Sequence, residues 1–120
     1  NTIHIIKTSD MKEVILVFLG DLYFTRGIKE LVDDERISRD DLLECVHRHV
    51  RCDYGEMCEE DVEVNNQALD MDYGRVMSEY RLNDIRIWFI TCLAGEQTYT
   101  TCLLPEEYWK TINLDSFFII

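Results

Sequence analysis

Cysteine and histidine crowd into one short stretch, Cys45-Val46-His47-Arg48-His49-Val50-Arg51-Cys52, with Cys58 a little beyond. These are metal-ligand residue types, and zinc takes four of them in a tetrahedron. On a helix, Cys45 and His49 stand at i, i+4 and share a face, whereas His47 and His49 at i, i+2 do not. The zinc set this spacing permits is Cys45, His49, Cys52 and Cys58. No Cys-x-x-Cys pair accompanies it. The simpler reading makes Cys45 and Cys52 small hydrophobes and leaves the histidines solvated, so no metal and no other cofactor is expected. A cysteine near a histidine is also raw material for a nucleophilic dyad. No local signature supports one, and neither a glycine-rich phosphate loop nor a Gly-x-Ser-x-Gly turn exists. Asp70-x-Asp72-x-Gly74 is too short for a calcium loop. No catalytic residue stands out, and the chain is expected to be no enzyme.

Charge is the sharper signal. The 120 residues hold 24 acids and 12 Lys or Arg, for a formal net charge of -12. Fourteen of the acids and only four of the bases fall within 33–72. Affinity for phosphate backbones comes from Lys and Arg, so direct nucleic-acid binding is excluded as an expectation, and an anionic membrane surface is disfavoured likewise. Two roles remain for the acidity. One is a well-solvated helical surface; the other is a negative face presented to a basic partner protein. Five cysteines, an odd number, and no secretory signal are the pattern of reduced thiols in a cytoplasmic protein. The apolar run Val14–Gly20 is too short to span a bilayer.

These groups need elements to position them. Asp84–Leu104 reads as two β-rich runs around the turn Ala94-Gly95-Glu96-Gln97, a hairpin in which Gly95 can take φ > 0. Arg75–Arg81 alternates and precedes the turn Leu82-Asn83-Asp84, which makes a three-stranded meander. Asn1–Ile6 has the residues of a short strand, and Val14–Thr25 reads as a strand bent or bulged at Gly20. Thr25 caps a helix running to about Asp34. Ser38 opens the clearest helix. Asp40 and Asp41 lie in its first turn, Leu42, Leu43, Val46 and Val50 follow at helical spacing, and Arg48 and Arg51 close it. Tyr54-Gly55 ends that helix and a third covers Glu59–Leu69. The expected fold is a single α+β domain, 1–120. Its antiparallel sheet joins the C-terminal meander to an N-terminal strand, and two to three helices pack on one face. The apolar tail Phe117-Phe118-Ile119-Ile120 either packs on the core or forms a homo-oligomer contact.

A succession of short motifs carries a resemblance. They are Leu22-Tyr23-Phe24-Thr25-Arg26-Gly27, His49-Val50-Arg51-Cys52-Asp53-Tyr54-Gly55-Glu56 leading into Glu59-Glu60-Asp61, Asn66-Gln67-Ala68-Leu69 and Ser78-Glu79-Tyr80. Ile87-Trp88-Phe89-Ile90-Thr91 and Thr98–Tyr108, with Leu104-Pro105-Glu106-Glu107-Tyr108, complete the series. Over Leu22–Tyr108 the chain resembles a family of small, acidic, uncharacterised proteins of bacteria, phages and plasmids. The resemblance implies a mobile-element setting and no activity. The chain departs from the family pattern at Cys52, where Gly is expected, and at Tyr54, where Trp is expected.

Together these point to an acidic binding protein of a phage or mobile element that occupies a basic site on a host protein. A counter-defence inhibitor of the anti-CRISPR or anti-restriction type is the most specific form of that expectation. The expected contacts are Asp53, Tyr54, Glu56, Glu59, Glu60, Asp61 and Glu63. Tyr54, an aromatic in a helix-exit loop, has the alternative role of packing the corner. The competing expectation is a small-ligand or nucleotide binding module, or a small enzyme. Its pocket would lie between sheet and helices and be lined by Trp88, Tyr99 and His49.

Overall fold

The Asn83-Asp84 pair turns the chain back with both residues at positive φ, 51° and 64°, and so joins β4 (Gly74–Leu82) to β5 (Ile85–Leu93). Two consecutive left-handed residues are what a two-residue hairpin needs, and Asn and Asp tolerate that conformation. The turn Gly95–Gln97, with Gly95 at φ +56°, leads on to β6 (Tyr99–Leu103). The three strands form the expected antiparallel meander. This computed structural model describes residues 3–7, 13–112 and 117–118.

The fold is α+β, but its sheet is mixed rather than antiparallel throughout. Strand order is β4-β5-β6-β3-β7, and β3 (Asp21–Thr25) runs parallel to β6. The reason lies between the strands. All three helices intervene between β3 and the meander, so β3 returns to the sheet by a long crossover, which parallel pairing requires. β7 (Phe117–Phe118) pairs antiparallel with Phe24 and Thr25 on the outer edge of β3. The described part of the tail thus lies on its own chain's sheet, while Ile119 and Ile120 fall outside the described residues.

Val14–Thr25 is not one bulged strand. It divides into β2 (Glu13–Val17), which pairs with β1 (Ile3–Lys7) in a separate two-stranded sheet, and β3. Gly20 makes the break at φ +63°, and a Cβ there would stand 1.9 Å from the Thr98 carbonyl oxygen. Backbone approaches backbone too closely for any other residue.

The helices are α1 (Arg26–Asp33), α2 (Arg39–Val50) and α3 (Glu59–Met71). Ser38 caps α2 by accepting from the Asp41 amide at 3.0 Å. α1 has no side-chain cap from Thr25. Instead Glu107, from the 3₁₀ segment Pro105–Ile112, reaches back to it. Its carboxylate accepts from the Gly27 amide at 2.9 Å, from the Thr25 hydroxyl and from the Leu104 amide at 3.0 Å. A carboxylate against the first turn satisfies an orphan donor and complements the helix dipole.

Pleating sorts the sheet residues into two faces. Val76, Ser78, Tyr80, Ile87, Phe89 and Thr91 point inward and are buried. Ile28, Leu31, Leu42, Cys45 and Val46 from α1 and α2 pack on this face with Phe24, Phe89 and Cys102. α3 does not lie flat on the sheet; it runs along the β4 edge. Its Ala68 and Leu69 pack with Val76 and Leu93 on the inner side. Asn65, buried at 2% exposure, then stitches the edge: it accepts from the Met77 amide and donates to the Met77 carbonyl. No helix among the described residues is long and apolar enough to cross a membrane.

Candidate functional site

The turn that joins α2 to α3 is built into the β4 edge. Tyr80 donates its hydroxyl to the Asp53 carbonyl at 2.6 Å. Glu79 donates its amide to the Tyr54 carbonyl, and Glu56 donates its amide to the Glu79 carbonyl. Gly55, at φ +68°, sits so close to β4 that a Cβ would come within 2.1 Å of the Glu79 oxygen. Tyr54 is 6% exposed and packs with Ala68, Leu69 and Val76. Of its two expected roles the structure gives it the corner-packing one, so it offers no contact surface. Its hydroxyl meets no hydrogen-bond partner of good geometry, only the weak thiol of Cys52 nearby.

The other expected contact residues separate into two groups. Asp53 is paired with Arg48 (2.8 Å), whose guanidinium holds the carboxyl below its usual range, and it also accepts from the Gly55 amide. Glu56 is paired with Arg81 (3.1 Å). Glu59, Glu60, Asp61 and Glu63 all stand exposed on the opening turns of α3. Asp61 accepts from the Cys58 thiol at 3.2 Å, and none of the four has an ion-pair partner among the described residues. Val64, also exposed, lies beside Glu60 and Asp61 on the same helical face.

Zinc ligation finds no common centre. Cys45 is buried in the core under α2, where burial pushes its thiol up to about 11. Cys52 donates weakly to the Ile15 carbonyl and Cys58 is on the surface. His49 is 0% exposed and spends both ring nitrogens on hydroxyls: Nδ1 meets Ser78 Oγ at 2.6 Å and Nε2 meets Thr91 Oγ1 at 2.9 Å. The chain continues from Thr91 to Thr100 (2.7 Å) and from the Thr100 hydroxyl to the Leu19 carbonyl. Burial lowers the His49 pKa to about 4, so the ring is neutral. It is neither solvated nor a ligand; it ties α2 to the inner sheet face. No group of His, Cys, Asp or Glu among the described residues is placed to hold a metal.

The expected pocket of Trp88, Tyr99 and His49 is ruled out by the pleat. Trp88 and Tyr99 point to the outer face, opposite His49. A different concavity, of about 620 Å³, lies on that outer face. Met77, Glu79, Trp88 and Ile90 form its floor. Cys58, Asp61 and Val64 form the wall on the α3 side, and Arg75 with Tyr108 forms the opposite end. Trp88 donates its indole N–H to Glu79 at 2.8 Å, and Arg86 pairs with the same carboxylate. Tyr108 lies edge-on to Trp88, with ring centroids 5.9 Å apart, and its hydroxyl accepts from Arg75. Arg75 and Tyr108 carry no catalytic or ligand motif. The one sequence cue was the alternation of Arg75–Arg81, which puts Arg75, Met77 and Glu79 on one face. Family models, curated proteins and solved structures, compared with this chain, return no match.

Proposed function

We propose that this chain is a non-enzymatic acidic binding protein that occupies a basic site on a partner protein. The observation that carries the reading is the opening of α3. Glu59, Glu60, Asp61 and Glu63 stand exposed with no ion-pair partner among the described residues, whereas Asp53 and Glu56, a few residues earlier, are neutralised by Arg48 and Arg81. Uncompensated exposed charge repels itself in the folded protein and gains by meeting the opposite sign. Val64 supplies an apolar contact beside those acids, the combination of charge for orientation and apolar area for affinity that protein interfaces use. Asp53 and Glu56 sit at the margin of this face. The competing role is that acids at a helix N-terminus serve the helix dipole and solubility alone.

The sign of the charge suits a partner surface that otherwise holds nucleic acid. The family resemblance supports a phage or mobile-element setting, and with it counter-defence against a host enzyme that handles nucleic acid. All five cysteines are unbridged, which fits a cytoplasmic place of action.

The test compares the immobilised native chain with a Glu59→Gln, Glu60→Gln, Glu63→Gln variant in host lysate at low salt. A protein held by the native chain, lost from the variant, and released by added salt or a short duplex DNA supports the reading. Identical retained sets from the two chains refute it.

A further inference from the structure

The outer sheet face carries a second, chemically different site. Arg75 is an exposed guanidinium with no ion pair to a carboxylate among the described residues, in a chain of net charge -12. The groups around it are the phenols of Tyr108 and Tyr99 and the thiol of Cys92. Its side chain lies over the Tyr108 ring, 5.7 Å from the centroid, and donates to the Tyr108 hydroxyl, which steers the guanidinium. A smaller cavity of about 160 Å³ opens beside it, lined by Arg75, Cys92, Tyr99, Thr101 and Tyr108. Its polar atoms are hydroxyls, a thiol and a guanidinium, all able to donate to an oxyanion, and no acid among the described residues lines it.

This cavity shares Arg75, Ile90 and Tyr108 with the larger groove. Along β4, Met77 and then Glu79 follow Arg75 on the same face, and Trp88 stands opposite Glu79. Arg75 is therefore about 13 Å from Glu79 along an extended strand. Between them the floor is Met77 and Ile90, with Trp88 and Tyr108 alongside. The far end is lined by Glu56, Asp61, Glu79 and Arg86; Glu56 pairs with Arg81 and Glu79 with Arg86, which leaves Asp61 as the carboxylate there with no ion pair among the described residues. The groove thus has a guanidinium at one end, an apolar and aromatic middle, and two ion pairs plus the carboxylate of Asp61 at the other.

We infer that this groove binds a small molecule made of a planar apolar body and a single anionic group, carboxylate or phosphate, with the anion on Arg75 and the body over Met77 and Ile90. Arg matches such oxyanions through paired donors, and aromatic walls suit a planar body. Asp61 at the far end disfavours a second anionic group there, so a single anion fits better than a chain of phosphates. The inference does not depend on the partner-binding role of α3, because the anion sits on Arg75, and Glu59, Glu60 and Glu63 are not among the groove's lining residues.

The test uses Trp109→Phe protein, in which Trp88 is the sole tryptophan, and follows its fluorescence together with thermal stability. The probes are phenylacetate and AMP, their uncharged counterparts phenylacetamide and adenosine, ATP as the polyanion, and inorganic phosphate. Phenylacetate or AMP is expected to perturb Trp88 and raise Tm. The uncharged counterpart is expected to bind at least about tenfold more weakly, the loss of one charged contact. Arg75→Gln is expected to lose binding by a similar factor, while the Glu59/Glu60/Glu63 variant keeps it. Tyr108→Phe, which releases the guanidinium from its tether, is a second variant expected to weaken binding. The inference is overturned if neither anion binds at millimolar concentration, if phenylacetamide or adenosine binds as well as its anionic counterpart, or if ATP binds as well as AMP. It is equally overturned if inorganic phosphate alone reproduces the effect, or if both variants bind as the native protein does.

Discussion

Acid should weaken this protein earlier than its carboxylates alone would allow, and His49 is the cause. The ring is wholly buried, neutral, and hydrogen-bonded at both nitrogens to Ser78 and Thr91. Its pKa falls to about 4 in the folded chain, from an ordinary value of 6.5, because burial penalises the imidazolium. The unfolded chain therefore binds one more proton than the folded chain between these values. Unfolding then becomes easier as pH falls, by about 1.4 kcal/mol per pH unit, and the accumulated loss is about 3 kcal/mol once pH reaches 4. Asp53 and Glu79, whose pKa values are lowered by Arg48 and Arg86, add their own losses at lower pH, as they protonate below the ordinary carboxylate range. The assay is urea unfolding at closely spaced pH values from 7.5 to about 4, on the native chain and on His49→Gln. The variant starts less stable because the hydroxyl chain is disturbed. Its stability should nevertheless fall less steeply with acid, and the difference in slope is the proton that His49 takes up. Parallel slopes for the two proteins over that range would refute the reasoning. A native His49 ring titrating near 6.5 by NMR would do the same.

Four further substitutions probe the β4 edge and, for comparison, the turn between β5 and β6. Gly55→Ala should cost about 2–4 kcal/mol in urea unfolding, since its Cβ meets the Glu79 carbonyl, whereas Gly95→Ala, with open space around it, should cost only about 1 kcal/mol for its positive φ. Asn65→Ala should cost about 2–3 kcal/mol and speed hydrogen exchange at the Met77 amide, because two bonds to that backbone are lost together. Tyr54→Phe should leave stability unchanged within about 0.5 kcal/mol, because the hydroxyl contributes no good bond. A large loss would show that the Cys52 thiol is a real partner.

Local signals carried the helices and the meander. Ser38 with Asp41, the turn at Asn83-Asp84 and the β-branched run of β5 each act through neighbours in sequence, and the structure repeats them. What local pattern cannot carry is a partner far along the chain. The parallel pairing of β3 with β6 joins Asp21 to Tyr99, and nothing near Asp21 announces it. Gly20 showed that the backbone must be irregular there, but not that Thr98 would lie where its side chain should be. The candidate site follows the same division. The acids at the start of α3 were visible because charge is additive along a sequence. Tyr54 was misplaced among the contacts because burial depends on α3 and β4 closing over it. The groove around Arg75 was hidden because it needs Tyr108 to fold back across the sheet. His49 was read as solvated because its hydroxyl partners come from two different strands.

The Glu107 carboxylate that finishes α1 lies 80 residues further along the chain, and the strand that receives β3 is nearly as distant. During synthesis on a ribosome, β3 and α1 emerge well before Tyr99–Leu103 and Glu107, and they lack that strand neighbour and that cap until roughly 80 further residues have been made. The meander and α2, by contrast, close through short loops. The meander thus rests on contacts close in sequence, whereas β3 and the cap of α1 rest on loop closures of about 80 residues, which cost more chain entropy. A chain shortened to end before Glu107 would keep the sequence of its first helix and lose the means to hold it.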